Sequence, residues 1–325
     1  MPINISYALD LIGKSHEKNQ ITSAPAALYE PRNYVMGQGG KRMRSLLCLI
    51  GYGLYKKDLE NALDLAYAIE LFHNFTLVHD DIMDEAPTRR GQPSVHTTYG
   101  TSSAILTGDA MLIEVYERLS QLDYHAPLEM INILSTAAKE VCEGQSYDMT
   151  YEESDEVSLT EYLTMIELKT AVLLGAAIEM GAKLAGASEL DQAHLRKYAI
   201  SSGVSFQLQD DYLDVYGDPK VFGKKVGGDI IQGKKTYLYL RALALMEESD
   251  RVGLVDLYTS TSIKDEDKVA RVRDIFNELF IPTYCEEAKK AYFDLSLSHL
   301  EMTSLSEEAK KQLADFSLQL MNRKN

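Results

Sequence analysis

The sequence predicts an all-α fold, and three observations lead to this prediction. Apolar residues recur at the three-and-four spacing of helices, as at Leu63, Ala66, Tyr67 and Leu71. Alternating strand patterns bounded by turn residues are hard to find. The chain has 325 residues, 45% of them apolar, and no Gly/Ser-rich or Pro-rich linker interrupts it. We therefore expect helices packed around a large apolar core.

Turn residues place the breaks between the predicted helices. We expect breaks near residues 25–31, 87–103, 124–127, 151–158, 186–191, 217–233, 248–253 and 281–282. No short period of the solenoid kind repeats along the chain, although Phe75-x-Leu77 and Phe206-x-Leu208 form a distant pair.

Composition and charge exclude several classes of partner. A formal net charge of −16 without a basic stripe argues against nucleic acid. The N-terminus has no basic segment followed by a long apolar core, and no apolar run reaches the length of a membrane span, so we expect a cytoplasmic protein without a transmembrane segment. Three scattered cysteines, Cys48, Cys142 and Cys285, fit a reducing compartment.

Two Asp clusters of the same form end two of the predicted helices. The first Asp cluster is Asp80, Asp81 and Asp84, and the second Asp cluster is Asp210, Asp211 and Asp214. In each, the first and last Asp lie one helical turn apart on one face. The C-terminus of a helix is already negative, so carboxylates there are destabilising unless a cation neutralises them. Oxygen donors without Cys or His favour magnesium.

Basic residues beside turns complete the candidate site. They are Lys41, Arg42 and Arg44 before the apolar run 46–54, Arg89 and Arg90 after the first Asp cluster, and Lys224, Lys225, Lys234 and Lys235 after the second. Gly39 and Gly40 precede the first group, as an anion site at a helix N-terminus requires, but the spacing does not match a nucleotide-binding loop. An acidic cluster followed by a basic loop thus occurs twice, which two diphosphate groups would require.

A single cavity follows if both Asp clusters serve one substrate, because they must then face each other. This favours one domain over residues 1–325, whereas length alone suggests two. His73 lies seven residues before Asp80, two helical turns along the same face, so we expect it to look into this cavity. We expect His79 to be an ordinary, partly buried histidine.

These motifs resemble those of the trans-type polyprenyl diphosphate synthases. The resemblance rests on Glu70-Leu71-Phe72-His73, Leu77-Val78-His79 before the first Asp cluster, Arg89-Arg90-Gly91-Gln92-Pro93, Gly144-Gln145, Lys169-Thr170, and Phe206-Gln207-Leu208-Gln209 before the second. It spans nearly the whole chain. It implies an orthogonal helical bundle of the isoprenoid synthase type, a homodimer, and head-to-tail condensation of isopentenyl diphosphate with an allylic diphosphate. The chain departs from the family pattern at Ser45, where a proline is common, and at Ser94, where a threonine is common.

The resemblance also implies a role for individual residues. Asp80, Asp84 and Asp210 would bind magnesium, three ions per active site, with Asp81, Asp211 and Asp214 in support. Arg89, Lys169, Gln207 and Lys224 would contact the allylic diphosphate, while Lys41, Arg44, His73 and Arg90 would hold isopentenyl diphosphate. Thr170 and Lys234 complete the substrate-binding set, and Lys169 and Gln207 also belong to the catalytic set.

The expected reaction begins with charge growing on the departing diphosphate, which magnesium and the cations stabilise. The allylic cation that remains is attacked by the double bond of isopentenyl diphosphate. Around Leu168, Thr170 and Gln207 we expect carbonyl and amide groups that offset the positive charge.

Product length should depend on the helix that carries the first Asp cluster. Phe75 and Thr76 lie five and four residues before Asp80, about 6–8 Å deeper, and Phe72 lies one turn further. A bulky Phe75 beside a small Thr76 resembles enzymes with twenty-carbon products. We therefore expect geranylgeranyl diphosphate, with farnesyl or longer-chain diphosphates as the alternative.

Two other classes of protein remain as alternatives. A class I terpene cyclase shares the fold, but its second metal motif normally includes Asn or Asp, Ser or Thr, and Glu, whereas residues 210–214 repeat the Asp form. A non-catalytic subunit of a heteromeric synthase typically lacks one or both Asp clusters. Both clusters are intact here, which argues against that class.

Overall fold

The computed structural model describes residues 3–122, 127–154, 156–218 and 226–321, and these residues are mainly helical, as predicted. The α-helices are α1 (Ile5–Lys18), α2 (Ala26–Gly37), α3 (Met43–Gly53), α4 (Leu63–Met83), α5 (Val95–Tyr99), α6 (Thr101–Ser120), α7 (Pro127–Glu153), α8 (Leu159–Ile166), α9 (Val172–Leu184), α10 (Glu189–Tyr216), α11 (Gly228–Gln232), α12 (Tyr237–Leu245), α13 (Glu248–Thr259), α14 (Asp265–Glu278), α15 (Ile281–Glu301) and α16 (Glu307–Met321). A 3₁₀ turn (Leu59–Ala62) precedes α4, and a π turn (Glu167–Ala171) joins α8 to α9. Two short antiparallel strands, β1 (Thr88–Arg89) and β2 (Gln92–Pro93), form a hairpin after α4.

Three predicted breaks lie inside helices instead. Residues 281–282 form the start of α15, because Pro282 is tolerated in the first turn, where its missing N–H needs no partner. Pro31 is buried within α2, where its packing outweighs the one backbone hydrogen bond that its ring removes. Residues 248–253 form the start of α13, because Glu248 and Asp250 in the first turn favour the positive end of a helix. The break predicted at 124–127 falls largely on residues 123–126, which lie outside the described residues.

The described chain divides into two compact units. The first unit is Met1–Thr136 with Ala176–Arg196, and the second unit is Ala137–Gly175 with Lys197–Asn325. The first Asp cluster belongs to the first unit, and the second Asp cluster belongs to the second. A single domain over the whole chain stays a prediction.

The first unit is built around α4, which packs against α3 and α6. Its buried side chains include Leu65, Ile69, Leu71 and Phe72, so one long helix carries both core residues and the first Asp cluster. Burial of this apolar surface is what fixes the helix that ends at the candidate site.

The second unit has its own apolar core around α10. Leu208 and Val215 of α10 are buried with Leu238, Phe276 and Ile281 from later helices. On α10, Leu208 and Val215 stand on either side of the second Asp cluster in sequence, so core packing determines how the cluster is presented. None of the helices that the structure describes is both long enough and apolar enough to span a lipid bilayer.

Candidate active site

The first Asp cluster lies at the end of α4, as predicted. The helix ends at Met83, and the backbone N–H of Asp84 donates to the carbonyl of Asp80 at 2.9 Å, which places the two residues one turn apart. At this end of the helix the macrodipole disfavours negative charge. A neighbouring cation is therefore expected, and the hairpin supplies one.

Arg89 of the hairpin holds the carboxylates of this cluster. Its Nε donates to Asp81 Oδ1 at 2.7 Å, and its Nη2 donates to Asp80 Oδ2 at 3.2 Å. Burial raises the pKa of Asp81, although Arg89 opposes the rise. For Arg89 itself, burial opposes the charged form, but the hydrogen bond and charge of Asp81, with the charges of Asp80 and Asp84, raise its pKa. Arg89 thus partly neutralises a cluster that it also positions.

Two of the residues predicted to hold isopentenyl diphosphate are in direct contact in the first unit. Arg44 Nη1 lies 3.0 Å from His73 Nε2. Burial, followed by the charges of Arg44 and Arg90, lowers the pKa of His73 well below its usual value, so the imidazole is neutral and Nε2 accepts from Arg44. Burial also lowers the pKa of Arg44 to about 10, and within the described residues its Nε is buried without a hydrogen-bond partner. A buried cation with an unsatisfied donor is suited to an anion.

Arg90 and Lys41, the other two residues of this set, lie at the surface. Arg90 Nη1 donates to Asn74 Oδ1 at 3.4 Å, and its backbone has a φ of +53°. Its guanidinium lies over Gly40, where an added Cβ would come within 2.9 Å of Arg90 Cζ. Gly40 therefore lets the arginine approach the Gly-Gly turn.

Arg42, in the same loop, has a structural role. Its Nη2 donates to the carbonyls of Met36 at 2.8 Å and Gln38 at 2.9 Å, and its Nη1 lies 3.4 Å from Glu70 Oε1. Ser45 donates from its backbone N–H and its hydroxyl to Glu70 Oε2. Arg42 thus ties the end of α2 to α4, and Ser45 makes hydrogen bonds that the common proline has no N–H or hydroxyl to provide.

The second Asp cluster lies near the end of α10, also as predicted. Asp211 is 3% exposed. Its Oδ2 accepts from the Tyr162 hydroxyl at 2.5 Å and from the Tyr237 backbone N–H at 3.4 Å, and its Oδ1 accepts from the Gln207 amide at 3.2 Å. Burial, with the charge of Asp229, raises the pKa of Asp211 to about 7 despite these donors.

Asp214 organises the backbone of the next helix. Its carbonyl accepts from the Gly227 N–H at 2.6 Å, and its Oδ2 accepts from the Asp229 N–H at 3.0 Å. Gly228 lies close by, since an added Cβ there would be 3.2 Å from Asp214 Oδ1. The last Asp of the cluster therefore fixes the start of α11.

A cavity of about 160 Å³ lies within the second unit. The residues that line it are Asp148, Tyr151, Glu152, Tyr162, Met165, Ile166, Lys169, Thr170, Gln207, Asp211, Asp229, Lys234, Lys235 and Thr236. Lys169, Thr170, Gln207 and Lys234, predicted as substrate-binding residues, all line this cavity, and Lys169 Nζ donates to Asp148 Oδ2 at 2.5 Å. The lining includes both cationic and acidic side chains, as a site for a metal-bound diphosphate would.

Lys169 and Thr170 project from the π turn at Glu167–Ala171. Such turns are rare and are frequently found at functional sites. Gly144 of α7 makes room for this turn, since a Cβ added to Gly144 would lie only 2.3 Å from the backbone nitrogen of Lys169. The side-chain nitrogen of Gln145 is buried without a hydrogen-bond partner in the described part of the chain.

The two lysines after α11 differ in position. Lys235 Nζ donates to the carbonyls of Tyr151 at 2.6 Å and Glu152 at 3.0 Å, so it caps the C-terminal end of α7. Lys234 lines the cavity. Lys224, predicted to contact the allylic diphosphate, lies outside the described residues.

The residues predicted to set product length form part of an aromatic row on α4. The rings of Phe72 and Phe75 have centroids 5.4 Å apart at an interplanar angle of 64°. Phe72 is buried and Phe75 is half-buried, and the Thr76 hydroxyl donates to the His73 carbonyl at 2.8 Å. Thr76 thus uses its polar group within the helix and leaves a small side chain beside Phe75.

Sequence reasoning missed several residues around these sites. Tyr162 and Asp148 contact Asp211 and Lys169, yet neither belongs to a charged or glycine-rich motif. Asp148 follows Gly144 by four residues on α7, one helical turn, so the spacing from the Gly144-Gln145 motif was the available signal. Tyr162 lay within an apolar helical run and gave no signal of its own.

The clusters fit magnesium through their donor chemistry. Their side chains supply oxygen only, and both lie near helix ends that favour a cation. Over the residues that the structure describes, no three His, Cys, Asp or Glu side chains form a group that could hold a metal ion by themselves. Magnesium is usually bound by one or two carboxylates together with substrate phosphates, so a binding site completed by diphosphate is consistent with this arrangement.

Known proteins similar to this chain agree on its class. The sequence profile of the polyprenyl synthetase family matches residues 25–278. A short chain isoprenyl diphosphate synthase of Methanocaldococcus jannaschii is 43% identical over 74% of this chain and 73% of its own. A geranylgeranyl pyrophosphate synthase of Geoglobus acetivorans is 35% identical over 95% of this chain and 96% of its own. The crystal structure of a geranylgeranyl pyrophosphate synthetase from Pyrococcus horikoshii Ot3 has a TM-score of 0.91 at 30% identity, covering 98% of this chain and 97% of that one.

Proposed function

This chain belongs to the polyprenyl synthetase family and is a prenyltransferase that elongates short prenyl chains, and we propose that its main product is geranylgeranyl diphosphate. The substrates in this proposal are isopentenyl diphosphate and an allylic diphosphate. The observation that carries it is the presence of two intact Asp clusters, each at the end of a long helix and each beside basic residues. Two Asp clusters with neighbouring basic residues can bind one diphosphate through metal ions and a second diphosphate through the basic side chains.

In this proposal Asp80, Asp84 and Asp210 bind magnesium, which would neutralise the departing diphosphate. Arg89, Lys169 and Gln207 bind the same diphosphate and stabilise the charge that grows on it.

Arg44 and neutral His73, with Lys41 and Arg90, hold isopentenyl diphosphate by charge and hydrogen bonds. Backbone carbonyls of the π turn and the Gln207 amide oxygen would face the positive charge of the allylic fragment. From the sequence, we expect this role for the groups around Leu168, Thr170 and Gln207. Exclusion of water protects the fragment until the new carbon–carbon bond forms. The proton lost after bond formation passes to the released diphosphate.

Phe75 supports the assignment of a twenty-carbon product. It packs on buried Phe72 and stands one residue before small Thr76, so a growing prenyl chain directed along α4 would meet its ring. The Phe75→Ala variant should therefore give longer products than the wild type. An unchanged product distribution would contradict the assignment of Phe75 as the floor, that is, the side chain that stops growth of the prenyl chain.

The direct test is an incubation of the purified protein with magnesium, isopentenyl diphosphate and, separately, five-, ten- and fifteen-carbon allylic primers. Products are measured by mass spectrometry. We expect elongation from each primer to stop mainly at twenty carbons. Products that stop at fifteen carbons or extend well beyond twenty would keep the condensation and overturn the assigned length, whereas no elongation would overturn the proposed function.

We also infer a homodimer that buries the exposed apolar face of α6. Ile105 is 46% exposed, Leu106 58% and Ile113 69%, although each is strongly apolar. Such a contiguous apolar face is typical of a subunit interface. The family resemblance implies a homodimer, so the partner in this proposal is a second copy of the chain. The double variant Leu106→Glu with Ile113→Glu should run as a monomer in size-exclusion chromatography with light scattering. A variant that remains dimeric would move the interface elsewhere.

A further inference from the structure

His79 extends the aromatic row of α4 by one step. Phe72, Phe75 and His79 are spaced by three and four residues, so they lie on one face of the helix. The Phe75 and His79 rings have centroids 5.0 Å apart at an interplanar angle of 73°, an edge-to-face contact. One side of Phe75 therefore rests on the buried Phe72, and the other rests on His79.

The His79 ring is in turn held by α6. Its Nε2 lies 3.2 Å from the Ile105 carbonyl, which can only accept, so this nitrogen is the donor. Asp109 Oδ1 lies 3.9 Å from the same nitrogen. The ring thus has a hydrogen bond on α6 and a ring contact on α4.

Gly108 provides the space that the ring occupies. A Cβ added there would lie 2.2 Å from His79 Nε2 and 2.5 Å from Cδ2, much closer than real contacts allow. Any larger residue at 108 would force the histidine ring away from α6. The glycine and the Ile105 carbonyl together define where the ring sits.

We propose that His79 is a positioning residue for product length, and that Gly108 sets its position. This inference rests on the proposed function, in which Phe75 is the floor that stops chain growth. His79 holds the Phe75 ring in one orientation. Without this support the Phe75 ring is free to turn aside, and the prenyl chain grows past it.

The test compares product lengths of purified full-length variants by mass spectrometry. His79→Ala removes the ring that supports Phe75. We expect the ratio of products longer than twenty carbons to twenty-carbon product to rise about two- to tenfold, the factor that corresponds to an aromatic pair contact. His79→Phe keeps an aromatic ring against Phe75 and should restore the wild-type distribution.

Gly108→Ala moves the ring while leaving the histidine in place, so it should shift the products in the same direction as His79→Ala. Gly13→Ala is the matched control, because Gly13 also lies in a helix of the first unit and an added Cβ there meets nothing within 4 Å. This control should leave the distribution unchanged.

The double variant Phe75→Ala with His79→Ala decides whether His79 acts through Phe75. If it does, the double variant gives the same products as Phe75→Ala alone. The inference is overturned if Phe75→Ala lengthens the products while His79→Ala and Gly108→Ala do not. It is also overturned if the double variant shows the sum of the shifts in product length that Phe75→Ala and His79→Ala cause separately. Absence of any elongation by the wild type would instead refute the proposed function itself, and a merely structural role for His79 would lower the rate without altering product length.

Discussion

The two Asp clusters hold their middle carboxylates in different ways. Asp81 is bound by the guanidinium of Arg89, whereas Asp211 is bound by neutral donors from Tyr162, Gln207 and a backbone N–H. Both carboxylates are buried, and burial raises the pKa of each. The middle carboxylate of the first cluster is thus held by a counter-charge, whereas the contacts described for Asp211 in the second cluster are neutral hydrogen bonds.

Under the proposed function, the two clusters would depend on a metal ion in different ways. Because Arg89 already opposes the negative charge of the first cluster, magnesium would complete a partly compensated site there. In the second cluster the pKa of about 7 for Asp211 means that folding alone favours its neutral form. A cation bound nearby would favour the charged form, so metal binding and ionisation are linked at this end.

The largest effect is expected from the carboxylates that are proposed to bind metal. Asp80→Asn and Asp210→Asn should each lower kcat/KM by about 10²- to 10³-fold, the usual loss when one group that stabilises transition-state charge is removed. Steady-state kinetics at saturating magnesium measure this loss. The exposed Asp315 of α16 supplies the control, since Asp315→Asn should leave activity intact. If one of the two variants keeps near-normal activity, the cluster that contains its substitution is not required for catalysis, and the catalytic role belongs to the other cluster alone.

The partners of the middle carboxylates should differ in their effect on stability. Arg89→Met leaves Asp81, with 5% side-chain exposure, without its cation and should lower the free energy of unfolding by about 3–5 kcal/mol. Tyr162→Phe removes one of three donors to Asp211 and should lower it by about 1–3 kcal/mol.

Urea denaturation in the presence of a chelator measures both changes. Lys290→Met is the control, because the Lys290–Asp294 pair is largely exposed and should contribute less than about 1 kcal/mol. Equal losses for Arg89→Met and Tyr162→Phe would remove the distinction between a charged and a neutral support.

A more diagnostic effect is expected from the pH dependence of stability. The folded-state pKa of Asp211 is raised to about 7, so between about pH 4 and pH 7 the folded chain keeps a proton that the unfolded chain has released. In metal-free protein this group therefore makes stability fall as pH rises, by up to about 1.4 kcal/mol per pH unit. Asp211→Asn should remove that part of the slope, measured as the urea midpoint across this range with a chelator present. If the slope of Asp211→Asn matches the wild type, Asp211 titrates normally in the folded chain.

Much of the fold and part of the site were predictable from the sequence. Helical periodicity extends over many residues of α4 and α10, and the Asp clusters interrupt it at their ends, so both the helices and the positions of Asp80 and Asp210 follow from local pattern. The basic residues near turns were also visible. Pro31 misled the prediction, because the packing that lets a proline stay within a helix is not local.

The partners of these residues were beyond local pattern. Tyr162 meets Asp211 across 49 positions of the chain, and Arg32 is held by Glu114 across 82. Contacts of this kind depend on how helices pack, which composition and spacing do not specify. Arg42 illustrates the same limit, since its sequence context matches Lys41 and Arg44 but its donors are used by backbone carbonyls.

The π turn at Glu167–Ala171 makes the number of residues in this segment a constraint in its own right. A π turn takes up one more residue than an α-helical turn of the same span. Deleting one residue here would let the backbone return to the α-helical path with α8 and α9 in nearly the same relative orientation, because an α-helical turn of the same span needs one residue fewer. The widened turn that carries Lys169 and Thr170 would be lost, although every other residue of the cavity would be unchanged. In this segment, chain length is as specific a determinant as residue identity.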